Sequence, residues 1–204
     1  AAYQLTLDHG LTDGEGFRDA EWTAGWLALS RIGDPVSAEA HFRKFGDGVS
    51  TPISVARARY WLGLSLEAQQ RRTEAESAFL EAAQYNYVYY GQLAAEKIEH
   101  IRPAAMMLDL PSEAAATSDQ RAAFLTRTDV RAAMLLAELG RLSEFEQFSN
   151  TIDDELTNAA QHRLLYEIGR DALHVRAAIR GAKAGLGRGL VDAEAVYPVL
   201  PLPR

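Results

Sequence analysis

The sequence contains no cysteine. Disulfides, thiolate metal sites and thiol nucleophiles are therefore excluded, while a reducing and an oxidising compartment both remain open. No apolar run approaches the roughly 20 residues that cross a bilayer, so no membrane span is expected. Positive charge is also scarce: 21 lysines and arginines against 28 aspartates and glutamates leave a net charge of −7. Phosphate binding needs clustered cations that displace counterions, so this balance argues against nucleic acid as a partner. Arg57, Arg59, Arg71, Arg72, Arg121, Arg127 and Arg131 are scattered among acids at helical spacing and read as solvated helix faces. β-Branched residues are few and alanine is abundant, which favours helix over strand.

What is present is an ordinary soluble composition, 48% hydrophobic and 24% charged, in 204 residues that suffice for one large domain or two small ones. Trp22, Trp26 and Leu29 recur at helical spacing and predict a buried stripe. Gly33 stops that helix, and Asp34 with Pro35 caps and opens the next, whose inward stripe is Ala38, Phe42 and Phe45. Thr51-Pro52 opens a long helix through Tyr60, Trp61 and Gly63, and a polar turn at Gln70–Thr73 leads to Ala75, Phe79 and Ala82. The spacing of Gly63, Ala75 and Phe79 matches the tetratricopeptide pattern, in which a small residue admits an aromatic plug between paired helices. Gly25, Ala38 and Phe42 repeat it one residue out of register, an internal repeat of roughly 38 residues. Asn86 is expected to cap a helix running to Ile98.

From Arg102 to Ser118 prolines and small residues predict a linker, and Thr117-Ser118-Asp119 a fresh helix start. Helices are expected over Val130–Leu139, Leu142–Phe148, Leu156–Ile168 and Leu173–Ala184, broken by Gly140, the Asn150–Asp154 stretch, Gly169 and the glycines at 185, 187 and 189. Pro198, Pro201 and Pro203 impose an extended tail. Four segments follow: tetratricopeptide-like repeats over 1–101, a linker over 102–120, a second helical bundle over 121–194, and a proline-rich connector over 195–204. The fold class is all-α, a helical-repeat solenoid followed by a smaller helical bundle.

Catalytic constellations are hard to find. His9, His41, His100, His162 and His174 form no metal-binding pair at helical spacing, and no nucleophile elbow or phosphate loop occurs. Gly185-x-Gly187-x-Gly189 follows a helix and reads as a terminator, not a dinucleotide loop. Glu76-Ser77 could hold a general acid, but Phe79 is engaged in the repeat and Glu76 falls on the hairpin flank, where a carboxylate stays solvated. Asp153-Asp154-Glu155 read as acids opening a helix. No catalytic, cofactor or metal ligand set emerges, and no cofactor is expected. The densest aromatic group is Tyr85, Tyr87, Tyr89 and Tyr90, which either packs against the preceding hairpin or stacks on sugar rings or a partner domain. Trp22, Trp26 and Trp61 carry the same ambiguity, weighted towards the core. Tyr87, Tyr89, Tyr90 and Gln92 are the candidate glycan or interdomain contacts.

The stretch from Glu21 to Lys97 resembles the helical superdomain of soluble lytic murein transglycosylases. The matching pieces are EWTAGWLALSRIGDP at 21–35, HF at 41–42, the PIS-x-A-R-A-x-YWLG run at 52–63 and YYGQLAAEK at 89–97. Gly189-Leu190 and Tyr197-Pro198 resemble the segment before that family's catalytic domain. The resemblance implies a periplasmic protein whose helices form a superhelical solenoid beside a lysozyme-like domain. There a glutamate protonates the bond between N-acetylmuramic acid and N-acetylglucosamine in peptidoglycan, and the muramyl C6 hydroxyl closes on C1 to leave a 1,6-anhydro product. That domain's Glu-Ser and Gly-Leu-Met-Gln motifs have no counterpart here, since Glu76-Ser77 lies within the solenoid match. The expectation is a non-catalytic scaffold, itself inactive. Its expected partners are glycan strands of peptidoglycan and a catalytic domain carried further along the same protein. A generic tetratricopeptide-like module for protein–protein interaction is the alternative.

Overall fold

Paired helices joined by short turns account for the described part of the chain. The computed structural model describes residues 2–101, 115–172 and 174–198, the side chains of Ile101 and Glu194 excepted, and holds helices but no strand among them. The sequence segment assigned above to a linker falls largely outside these residues, as do Leu173, Pro201 and Pro203. The chain divides into two compact units, Ala1–Asp109 and Leu110–Arg204.

The first unit contains α1 (Ala2–Leu7), α2 (Gly14–Leu27), α3 (Pro35–Asp47), α4 (Pro52–Ala68), α5 (Arg72–Ala83) and α6 (Tyr89–Ile101). A π-helical turn, Ala28–Ile32, extends α2 until Gly33 adopts a left-handed conformation with φ 74°. Local chemistry starts the helices where expected. The Asp34 carboxylate accepts the Val36 and Ser37 amides, and Thr51 accepts that of Ser54, with Pro35 and Pro52 at first positions that need no donor. Each helix packs on its chain neighbours, and α4 also meets α6. Two glycines set the spacing. A Cβ on Gly25 would stand 2.7 Å from the Phe42 ring, and one on Gly63 would stand 2.6 Å from the Phe79 ring. Phe42 and Phe79 are each 1% exposed, so the glycine-and-plug repeat exists as packing and anchors the core of this unit.

Asn86 does not cap α6. It is buried in a run of turns, and the helix begins only at Tyr89. The reason is Gly91, whose lack of a side chain lets the helix settle directly on the Tyr85 carbonyl, 1.9 Å from where a Cβ would be.

The second unit contains α7 (Ser118–Leu125), α8 (Thr128–Glu138), α9 (Leu142–Asp154), α10 (Ala159–Asp171), α11 (Val175–Gly187) and α12 (Ala193–Val196). Thr117 and Gln120 form a reciprocal capping box at α7. Pairs α8–α9 and α10–α11 form the body around Phe124, Val130, Phe145, Ile152 and Leu164. Several expectations fail here: Gly185 and Gly187 lie inside α11 and do not break it, and the Asn150–Asp154 stretch is helical, the C-terminal part of α9. Gly169 does not break a helix; it lies inside α10, where a Cβ would stand 3.0 Å from Ala178 of α11. Asp153 and Asp154 close α9 and Glu155 caps its end, the electrostatically wrong terminus for acids. Arg188 compensates: it donates to the Asp153 carbonyl at 2.8 Å and lies 3.6 and 3.7 Å from the Asp153 and Asp154 carboxylates.

The turn between α8 and α9 repeats the one between α4 and α5. Gln70 (φ 63°) and Gly140 (φ 68°) both occupy the left-handed region. The following arginine amide returns to the helix just ended, Arg71 to the Leu66 carbonyl at 3.0 Å and Arg141 to that of Leu136 at 2.8 Å. Each arginine then clasps a glutamate on the new helix, Glu74 and Glu144.

Candidate functional site

In the first unit, α2, α4 and α6 each contribute aromatic side chains to one continuous group. Trp22 and Trp26 are one turn apart on α2; Arg57, Tyr60 and Trp61 share a face of α4 by the same spacing; Tyr89 and Tyr90 open α6. Ring centroids run 6.3 Å from Trp22 to Trp61, 6.1 Å from Trp61 to Tyr60, 5.6 Å from Tyr60 to Tyr90 and 5.1 Å from Tyr90 to Tyr89. These are edge-on and tilted contacts, the arrangements that ring quadrupoles favour. Trp22, Trp26, Tyr60, Trp61 and Tyr90 are half-buried, while Tyr89 is 66% exposed. The tryptophans expected in the core therefore line its border and keep part of their surface in solvent.

Arg57 lies within this wall. Its guanidinium carbon sits 3.5 Å from the Trp22 ring centroid and 5.7 Å from that of Phe45. Burial lowers its pKa, and Tyr90 and Asp19 offset only part of that effect. No carboxylate among the described residues lies within ion-pair distance of it, although Arg43, Arg59, Arg71 and Lys97 of the same unit each hold one. Arg57 is thus no solvated helix-face cation. Its Nε and the indole N–H groups of Trp22 and Trp61 are closed off from solvent without an acceptor among the described residues. Burial likewise raises the Tyr60 hydroxyl pKa.

The residues singled out from sequence divide. Tyr89 and Gln92 are exposed, Tyr90 is half-buried in the wall, and Tyr87 is 7% exposed, packed edge-on to Tyr85. Tyr89 and Tyr90 belong to the wall; Tyr87 belongs to the turn beneath it. Arg57, which reads from sequence as a solvated helix-face cation, instead stands one turn before Trp61 on the aromatic face of α4, and that spacing is the signal that could have found it. Glu76, expected on a solvated flank, is half-buried with Oε1 closed off from solvent.

Two buried acid–histidine pairs lie elsewhere. Glu21, 3% exposed, receives His41 Nδ1 at 2.6 Å, and His41 Nε2 meets the Tyr3 hydroxyl at 3.2 Å. Lys44 Nζ and His9 Nε2 approach the other Glu21 oxygen at 3.4 and 3.7 Å. This network ties α1, α2 and α3 together, as a buried carboxylate requires. In the second unit His162 Nδ1 lies 3.0 Å from Asp153 Oδ1, and His162 packs where a Cβ on Gly185 would stand 3.0 Å away. Compared with known proteins, the chain matches no family model, no curated protein and no solved structure.

Proposed function

We propose that the chain is a tetratricopeptide-like helical scaffold of a periplasmic lytic transglycosylase, holding a peptidoglycan strand for a catalytic domain carried elsewhere in the same protein. The reaction served would be cleavage of the N-acetylmuramic acid–N-acetylglucosamine bond with formation of a 1,6-anhydro end. The observation that carries this reading is the aromatic wall of Trp22, Trp61, Tyr60, Tyr90 and Tyr89. Partly exposed rings in series offer apolar faces to successive sugar rings without demanding one sequence of polar groups. The repeated glycine–phenylalanine plug and the twin arginine–glutamate turns support the repeat architecture. Incubation with purified sacculi tests the proposal. Retention of the chain on sacculi without release of 1,6-anhydro-muropeptides is expected; release of those products, or failure to be retained, would overturn it.

A second reading, a protein–protein interaction module, draws on the second unit. A groove of about 490 Å³ runs between Leu125, Met134, Ala137 and Ile168, with Arg121, Glu138 and Glu167 at its edges. Leu135, which lines a shallower hollow sharing Leu125, Met134 and Glu138 with this groove, is 56% exposed. An apolar floor with charged edges suits an amphipathic peptide. Capture of a defined peptide together with indifference to sacculi would favour this reading.

A further inference from the structure

We infer that the groove between α7, α8 and α10 receives a basic amphipathic helix of a partner protein, its apolar face on Leu125, Met134 and Ile168 and a lysine or arginine on Glu138. The inference rests on the interaction reading of the second unit for the kind of occupant, and is independent of strand retention by the aromatic wall.

The floor decides the form of the occupant. The groove holds about 490 Å³, and Leu125 of α7, Met134 and Ala137 of α8 and Ile168 of α10 line it. These side chains offer no backbone donors or acceptors, and the three helices present no sheet edge. An extended segment laid there would leave its own amides and carbonyls unmatched. A helix satisfies them internally and needs only an apolar stripe. The apolar surface continues through Leu135, 56% exposed in the adjoining hollow. Helix α8 therefore has a second apolar face beyond the one it buries through Val130 and Ala133.

The edge decides the charge. Glu167 receives Arg121 at 2.6 Å and Arg163 at 3.2 Å, and Asp171 receives Arg170 at 2.9 Å. Glu138, which also lines the groove, has no cation within ion-pair distance among the described residues. It ends α8, whose last turn carries no basic residue, so its charge adds to the negative end of the helix dipole. Asp171 and Ala172 bring a second helix C-terminus, that of α10, to the same groove. The acids that close α9, Asp153 and Asp154, are by contrast met by Arg188. The end of α8 is one cation short beside an apolar floor, and a lysine or arginine on the incoming helix supplies it. An acidic helix would meet repulsion at the same place.

The probe is a leucine–lysine peptide of about 14 residues with its leucines on one helical face, near the shortest length that holds a helix. Its counterparts are the leucine–glutamate peptide of the same pattern and a leucine–lysine isomer whose leucines share no face. Binding to the intact chain is read from the methyl resonance of Met134, one of three methionines, assigned through Met134→Leu. The leucine–lysine peptide should move that resonance and bind at least about tenfold more tightly than either counterpart, the worth of one charge-assisted pair or of a few buried methylenes. Glu138→Lys should weaken it by about fivefold or more, and added salt should weaken it too. Glu99→Lys, an exposed reversal in the last turn of α6, should change it by less than about twofold. The thermal midpoint of Glu138→Lys should hold or rise, because a cation suits a helix C-terminus, so the loss of binding is separable from a folding defect. Equal binding of the leucine–glutamate peptide at Met134 would sink the basic partner and leave the groove a peptide site. Equal binding of the isomer, or equal losses in Glu138→Lys and Glu99→Lys, would reduce the attraction to the net charge of the chain and overturn the docking site. A Met134 resonance that no peptide moves would remove the inference and the interaction reading together.

Discussion

The α4–α5 hairpin of the first unit and the α8–α9 hairpin of the second turn in the same way and fill their interiors differently. Gln70, Arg71 and Glu74 correspond to Gly140, Arg141 and Glu144, with the same left-handed residue, returning amide and arginine–glutamate clasp. Inside, Gly63, Ala75 and Phe79 correspond to Ala133, Phe145 and Ser149. The aromatic ring has moved one turn towards the helix start, from Phe79 of α5 to Phe145 of α9, and it remains fully buried, 1% exposed as Phe79 and 0% as Phe145. At the position of Phe79 the second hairpin has Ser149, which lines a cavity of about 280 Å³ formed with Leu165 of α10 and Ala177, Arg180 and Gly181 of α11. A turn set by local backbone chemistry thus tolerates two packings, because packing depends on total volume and turn geometry on a few fixed dihedrals.

The largest test of this correspondence removes each ring. Phe79→Ala and Phe145→Ala should each cost about 3–5 kcal/mol, as buried phenylalanine truncations do. Denaturant unfolding of the two variants measures it; a loss below roughly 1 kcal/mol in either would show that its ring is not the plug. Next in size is the turn. Gly140→Ala should destabilise by about 1 kcal/mol through backbone strain alone, since nothing lies within 4 Å of the added Cβ. Gln70→Gly should shift stability the opposite way, by up to about 1 kcal/mol, less the entropy glycine adds to the unfolded chain. Equal signs for the two substitutions would break the parallel between the turns.

The parts of this architecture legible in sequence are those decided within a few residues. Asp34-Pro35, Thr51-Pro52 and Thr117 announce helix starts because a side-chain oxygen and a fixed φ suffice. The Gly63–Phe79 spacing was legible because one helical pair brings those residues together. Long-range partners were not. Asp153 reads as a helix opener until Arg188 and His162 arrive from α11 and α10 to hold it at a helix end. Arg57 reads as a surface cation until Trp22, on another helix, covers its guanidinium. Within the candidate site the tyrosine cluster was visible as composition. Its division into exposed Tyr89 and buried Tyr87 depends on α6 starting at Tyr89, which Gly91 decides through its contact with the Tyr85 carbonyl.

A smaller effect shared by both hairpins is their response to acid. Glu74 and Glu144 are held below the usual carboxylate range by hydrogen bonds from Arg71 and Arg141. A depressed folded-state pKa stabilises the fold above the unfolded-state value and is lost as pH falls through the folded one. Stability should therefore decline with acidification below the ordinary glutamate range. Glu74→Gln and Glu144→Gln should each flatten that decline in urea unfolding midpoints measured from pH 6 to pH 3. The first hairpin should respond more broadly, since Arg71 also reaches Glu39 at 2.6 Å and Glu39 is itself lowered. There burial works to raise Glu39, and hydrogen bonds from Gln69 and Arg43 together with Arg71 outweigh it. Equal flattening in the two variants would confine each clasp to its own turn.

The smallest expected effect distinguishes a pocket from a packing defect. Ser149 is 6% exposed, and its hydroxyl has no hydrogen-bond partner among the described residues. Replacing it by alanine removes an unmatched polar group and should leave stability unchanged or raise it by a few tenths of a kcal/mol. Ser149→Leu, which extends into the cavity between α9, α10 and α11, should raise it further, because the added methyl groups gain contacts and leave water. If leucine destabilises the unit instead, the surrounding Asp153 and Arg180 need that space for their own placement, and the packing of α9 on α10 and α11 is built around the cavity. If it stabilises, the cavity is a packing defect, and the serine marks a place where stability has been given up.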